Sequence, residues 1–382
     1  MTAPVLDAPR WRQGAAQCLG MLTVDVDVRV EPFDYASGSP ATAGLWKVTA
    51  SSAEGTPVQV FAKLLRHPRL WPRLTDLPPP ARDQFVREFP WTFEYDLHLS
   101  GIAAAMPDGL RTAELYRADR LDDDHLLLWW EFVVPRETGW QDTDLVRAAR
   151  LLGSMAARRR EGAEVNRGLP PSCLLPRGFA LRMLAQYQVL GVVAPRLHDP
   201  ALWRTPALAA ALEVLADPDL PADMVDLAER VPRLLDLMDG LPQTYHHGDA
   251  SPQNLLLDSS SDEIIVIDWG MGTLQAVGFD LGQLLVGLMH AGQQDPDDAA
   301  RLAAPLVDAY TAGLAEGGLS TDAATVRTGF LAALACRSAL TALPLDRLDE
   351  PDTPELRAHL NDRLRLTRAM LDLIRDGLPA AD

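Results

Sequence analysis

The chain has 382 residues, 47% hydrophobic and 23% charged, which suffices for one large bilobal domain or two of ordinary size around a real core. Its 35 Lys+Arg against 53 Asp+Glu leave a formal net charge of −18, so the surface repels phosphate backbones and excludes the counterion release on which nucleic-acid binding depends. No basic-then-apolar leader opens the chain, Leu281 to Met289 is too short to span a bilayer and Phe330 to Leu343 is broken by Arg337, so a cytoplasmic protein without membrane or nucleic-acid partners is expected.

From Met21 to Ala62 apolar and polar residues alternate. Val24, Val26, Val28 and Val30 are followed by a Gly/Ser/Ala loop from Ala36 to Gly44, and Leu45 to Ala50 and Pro57 to Leu65 resume the pattern, which predicts an antiparallel sheet. His67 to Pro80 reads as a Pro-rich loop, Gln84 to Ala105 as one helix, and Leu126 to Val134 as an apolar strand stopped by Pro135. Beyond Thr143 the spacing is helical over Asp144 to Arg160, with Asp142 or Thr143 as N-cap, and over Asp223 to Gly240, Asp297 to Glu316, Thr321 to Leu343 and Thr353 to Asp376. Gly162 to Pro221 is Pro-rich and is expected to contain long loops. One β segment interrupts the helices: Leu255 to Leu257 and Ile264 to Ile267, joined by the turn Asp258 to Glu263, predict a hairpin. The class is therefore α+β, with a β-rich lobe over 1–134 and a mostly helical lobe over 135–382.

The chemistry gathers at that hairpin. His247-Gly248-Asp249, then Asn254, then Asp268-Trp269-Gly270 at the end of its second strand bring two carboxylates and an amide oxygen together with no cation nearby in sequence. Hard oxygen donors of this kind suit Mg²⁺. The same set of roles serves phosphoryl transfer, in which a loop Asp takes the proton of the acceptor hydroxyl while an Asn and a second Asp hold the metal on the phosphates. Among the 35 basic residues only Lys47 and Lys63 are lysine. Where arginine is the default cation, a retained lysine marks a place that needs a compact point charge, and Lys63 is the better candidate. Cys18, Cys173 and Cys336 lie far apart without a CxxC, so neither a disulfide framework nor a thiolate metal site is expected.

The segment HHGDASPQNLLLD…IIVIDWGMGTLQAVGFDLGQLL, which ends at Leu285, resembles the aminoglycoside phosphotransferase-like family of small-molecule kinases. The resemblance implies a protein-kinase-like bilobal fold with a nucleotide-binding lobe over 1–134. It also implies a helical lobe over 135–382, with the catalytic loop and metal-binding hairpin at 243–290 and acceptor-binding helices at 143–240 and 291–382. It implies Asp249 as catalytic base, Asn254 and Asp268 as Mg²⁺ ligands, and His247 as support of the catalytic loop. Lys63, in Val60-Phe61-Ala62-Lys63, would contact the phosphates of ATP and pair with a Glu of the next helix; Glu94 is preferred to Glu88 because Trp91 to Tyr95 resembles the family's W-x-x-E helix. Ser37 and Gly38 belong to the loop that would cover the phosphates, and the backbone of Glu131 to Val133 would contact the adenine. Asp280 would brace the catalytic loop or simply cap a helix. Gly248 stands where protein kinases have Arg, and only twelve residues separate Asp268 from Asp280, too few for an activation loop. The acceptor is expected to be a small polar hydroxyl compound, an antibiotic, an amino sugar or a metabolite, and cationic because of the net charge. The alternative is a catalytically silent nucleotide-binding module.

Overall fold

A computed structural model describes residues 6–18, 20, 26–33, 38–52, 57–77 and 79–378. The first lobe is an antiparallel sheet of β1 (Val26–Pro32), β2 (Thr42–Ser52), β3 (Val58–Arg66), β5 (Leu115–Arg120) and β6 (His125–Glu131), in the order β1-β2-β3-β6-β5. Alternation along β3 sends Val60, Ala62 and Leu64 to one face. There they pack with Trp129 and with Trp11 of α1 (Ala8–Cys18), a helix the sequence reading did not anticipate. Lys63 and Leu65 take the opposite face, toward the second lobe, so the strand period itself aims the lysine.

The single helix expected over Gln84 to Ala105 is instead α2 (Pro79–Glu88), α3 (Phe93–Leu99) and a 3₁₀ turn (Ile102–Ala105). Pro90 supplies the break, since it has no N–H to donate and restricts Phe89 before it. The expected lobe boundary at residue 134 is crossed. β4 (Leu110–Thr112) pairs in parallel with β9 (Ile264–Val266), which pairs antiparallel with β8 (Leu255–Leu257) as the hairpin spacing predicts, and Phe93, Leu97 and Leu110 belong to the core of the helical lobe.

The helical lobe contains α4 (Asp142–Arg158), α5 (Phe179–Leu184), α6 (Ala194–Leu197), α7 (Pro206–Leu215), α8 (Leu220–Asp239), α9 (Leu281–His290), α10 (Ala299–Glu316), α11 (Ala323–Leu334) and α12 (Pro354–Gly377). A second small ladder joins β7 (Gln243–His246) to β10 (Thr273–Ala276). Helix α4 begins two residues earlier than expected, with Gln141 at the N-cap and the Gln141 N–H donating to Asp144. The Pro-rich stretch expected as loop carries α5 to α7, because proline is accepted in the first turn of a helix, as at Pro206. Helix α11 starts after Asp322, whose carboxylate accepts the Thr325 N–H at 2.7 Å, and then widens into a π turn over Ala335–Ala339. Such wide turns are rare and concentrate at functional sites. Among the described residues no helix is long and apolar enough to cross a membrane.

Candidate active site

Lys63 is 5% exposed and joins the two lobes: its Nζ lies 2.6 Å from Glu94 Oε2 on α3 and 2.9 Å from Asp268 Oδ1 after β9. Burial works against its charge, but Asp268 and then Glu94 hold its pKa above the ordinary lysine value. Burial also opposes ionisation of Asp268, yet the Lys63 ammonium keeps that carboxyl below its usual range, while burial leaves Glu94 above its own. Glu88 is exposed and accepts instead from the Gln84 amide at 3.0 Å. Asp268 has φ +56°, one of two described non-glycine residues in the left-handed region. Strain of this kind is kept where the surroundings hold a functional side chain in place.

The loop after β7 is fixed from below. Asp280 is 1% exposed, and its Oδ2 and Oδ1 accept the N–H groups of His247 at 3.0 Å and Gly248 at 2.9 Å. It sits at the N-cap of α9 but makes no side-chain cap bond there, so its work is done on the loop. Burial opposes its charge, and His246, whose Nδ1 lies 3.2 Å away, leads the groups that keep its pKa low. His247 ties the loop to the hairpin, with Nε2 2.9 Å from the Ile267 carbonyl and Nδ1 accepting the Asp249 N–H at 3.2 Å. Gly248 has φ +86°, and a Cβ there would lie 1.9 Å from the Met271 carbonyl oxygen, so no side chain fits where protein kinases carry Arg.

Asp249 and Asn254 are joined directly. The Asn254 amide nitrogen donates to the Asp249 carbonyl at 2.9 Å and to its Oδ2 at 3.0 Å, leaving the Asn254 Oδ1 as the end able to meet a cation. The Ile267 N–H donates to the Asn254 carbonyl at 3.0 Å, which places Asn254 beside the strand that delivers Asp268. Among the described residues no group of three or more His, Cys, Asp or Glu forms a metal site. Two oxygen donors, Asn254 Oδ1 and the Asp268 carboxylate, fit an ion such as Mg²⁺ that completes its shell with phosphate oxygens and water.

Ser37 falls outside the described residues, and Gly38 is exposed with open space about its Cβ position. The Glu131 carboxylate is gripped by Arg111 at 2.6 and 2.7 Å, which holds its pKa low, and its N–H donates to the Glu114 carbonyl at 2.8 Å. That N–H is thus already engaged. The linker beyond it is laid against the hairpin, with the Val134 carbonyl accepting from Ser259 at 3.1 Å.

Residues 134–318 match the model of the phosphotransferase enzyme family. This segment belongs to the phosphotransferase enzyme family. No curated protein matches the chain. An aminoglycoside phosphotransferase from Alicyclobacillus acidocaldarius superposes with a TM-score of 0.51 at 13% identity, covering 98% of this chain and 97% of that one, and shows the fold to be the bilobal kinase-like one. An amicoumacin kinase solved with AMP-PNP and Ca²⁺ is similar at 12% identity, 89% and 88% coverage and a TM-score of 0.49. A choline kinase from Cryptosporidium parvum is similar at 11% identity, 91% and 88% coverage and a TM-score of 0.47. The matched segment is accordingly that of a phosphotransferase enzyme.

The site holds one residue that sequence reading missed. Arg337, in the π turn after α11, donates from Nη2 to Asp249 Oδ1 at 2.6 Å and from Nη1 to the Gly248 carbonyl. The sequence did carry a signal: a lone Arg inside the apolar run Phe330 to Leu343 needs a buried partner. Behind it, Arg363 of α12 donates from Nη1 to His290 Nδ1 at 2.8 Å and from Nη2 to the His290 carbonyl, at the end of α9. Burial, then Arg363 and Arg337, lower the His290 pKa to about 4, so this imidazole is neutral at pH 7.

Proposed function

We propose that the protein transfers the γ-phosphoryl group of ATP, with Mg²⁺, to a hydroxyl of a small polar molecule bound by the helical lobe. One observation carries the reading: Lys63 bridges Glu94 and Asp268 across the lobes, beside a loop on which Asp249 and Asn254 are hydrogen-bonded to each other. A buried lysine, a strained aspartate and this loop in one place support that reading.

Lys63 would meet the α- and β-phosphates as a compact charge, with Glu94 keeping the ammonium aimed into the cleft. Bound Mg²⁺, held by Asn254 and Asp268, would neutralise the β- and γ-phosphates. Asp249 orients the acceptor hydroxyl and takes its proton as the acceptor oxygen bonds to the γ-phosphorus, while the bond from that phosphorus to the β-phosphate oxygen breaks and ADP leaves. Catalysis is then chiefly positioning and charge stabilisation. Ser37 and Gly38 would lie over the phosphates, and the Glu131 carbonyl and the backbone of Val133 would face the adenine.

The test is ADP release from ATP over a panel of hydroxylated amines, sugars, acids and antibiotics, with Mg²⁺ and with the metal chelated. Turnover is expected only with metal. Asp249→Asn should lower kcat by at least about a hundredfold with nucleotide affinity retained. Near-normal turnover in that variant removes Asp249 from the mechanism, and failure to bind Mg·ATP overturns the reading.

A further inference from the structure

The expectation of a cationic acceptor rested on the net charge of −18, but charges within a few ångströms of the reacting atoms outweigh those beyond about 8 Å, which salt screens. The acidic loops of the helical lobe are largely spent. Asp295 and Asp297 each accept from Arg365 at 2.7 Å, Glu350 from Arg347 at 2.8 Å, and Asp352 from Arg357 at 2.7 Å. Beside Asp249 the balance is reversed. Arg337 has a side chain only 15% exposed and pairs with the Asp249 carboxylate, while two of its five N–H groups are used by Asp249 and Gly248. Arg363 makes no ion pair among the described residues, and both guanidinium groups act on the neutral His290. An acceptor whose hydroxyl approaches Asp249 therefore meets a neutralised carboxylate with guanidinium groups behind it.

We propose that Arg337, supported by Arg363, reads an oxyanion on the acceptor, so that the molecule phosphorylated is a hydroxy compound bearing a carboxylate or phosphate and not an ammonium. This rests on the kinase reading above and names its substrate class. Arg suits the role because its fork matches both oxyanions with paired N–H donors. Arg337 sits within the π turn at Ala335–Ala339, from which its side chain reaches Asp249.

Calorimetry with saturating Mg·AMP-PNP tests it on matched ligands. Gluconate, glucitol and 1-amino-1-deoxyglucitol differ only in the charge at one end, as do glycerate, glycerol and 3-amino-1,2-propanediol, and glycerol 3-phosphate separates phosphate from carboxylate. The anionic member of a set is expected to bind at least tenfold tighter than its amine, with ADP formation from ATP in the same order. Arg337→Gln should abolish that preference and Arg337→Lys should keep part of it. Equal or tighter binding of the amines, no binding by any anionic member, or an Arg337→Gln variant that weakens all members alike overturns the proposal. The wild-type ranking decides the matter even if the variants do not fold. Failure of Mg·AMP-PNP itself to bind overturns the kinase reading along with it, whereas nucleotide binding with the wrong acceptor ranking overturns the proposal alone.

Discussion

Asp280→Asn removes the brace under the catalytic loop without changing its size. The carboxylate accepts two backbone N–H groups, from His247 and Gly248, in a site 1% exposed. Hydrogen bonds to a charged group contribute about 1.5 to 3 kcal/mol each, and leaving a buried donor unpaired costs about 1 to 3 kcal/mol. The amide can accept one N–H and must turn its own NH₂ toward the other, so the loss should be about 3 kcal/mol, read as a lower urea midpoint at unchanged slope. Because the two N–H groups belong to residues adjoining Asp249, the loop should also shift, and a displacement of about 1 Å can cost roughly a hundredfold in rate. Helix capping alone would predict otherwise, since serine is as good an N-cap and Asp280→Ser would then be nearly neutral. An Asp280→Ser protein with normal kcat and an unfolding free energy within about 1 kcal/mol of wild type refutes the brace. The sign with pH follows from the depressed carboxyl pKa: the contribution of the ionised group is present above the ordinary aspartate value near 3.8 and is lost as pH falls through the lower folded value. The difference between wild type and Asp280→Asn should therefore shrink below about pH 4.

Lys63→Arg should damage kcat/KM nearly as much as Lys63→Ala, because the guanidinium fork does not fit between Glu94 and Asp268 at 2.6 and 2.9 Å; more than half of wild-type kcat/KM in the arginine variant would refute this. His290 is held near pKa 4 in the folded protein against 6.5 when unfolded, so the unfolded chain binds the extra proton and stability falls as pH drops from 6.5 to 4, by up to about 3 kcal/mol. His290→Gln should flatten that part of the stability profile measured by urea unfolding, and an unchanged slope would contradict it. Gly248→Ala should lower the thermal midpoint and ADP release together, since it combines a Cβ 1.9 Å from the Met271 oxygen with about 1 to 2 kcal/mol of left-handed strain, and a normal midpoint would show that the loop has room.

What could be read from the sequence was whatever lies close together along the chain. The hairpin of β8 and β9 follows from two apolar runs and a turn, and it carries Asp268 back beside Asp249 and Asn254, so spacing alone grouped those three. Strand period placed Lys63 on a face opposite Val60 and Ala62, and the rarity of lysine singled it out. Its pairing with Glu94 and not Glu88 was expected from the resemblance at Trp91 to Tyr95, but helical periodicity across 84–105 concealed where Pro90 ends one helix and lets another begin. The same limit hid α1 and the helices among the prolines of 162–221, whose stability comes from packing more than from local propensity. Asp280 left two readings open in the sequence, a cap or a brace, and only the approach of β7 to the start of α9 decides between them. Arg337 lies 88 residues from Asp249, and the run around it, Phe330 to Leu343, holds no other charge. Composition supplied a net charge, but the field at the reacting hydroxyl depends on which few charges the tertiary fold sets within ångströms of Asp249, because water and salt screen the rest.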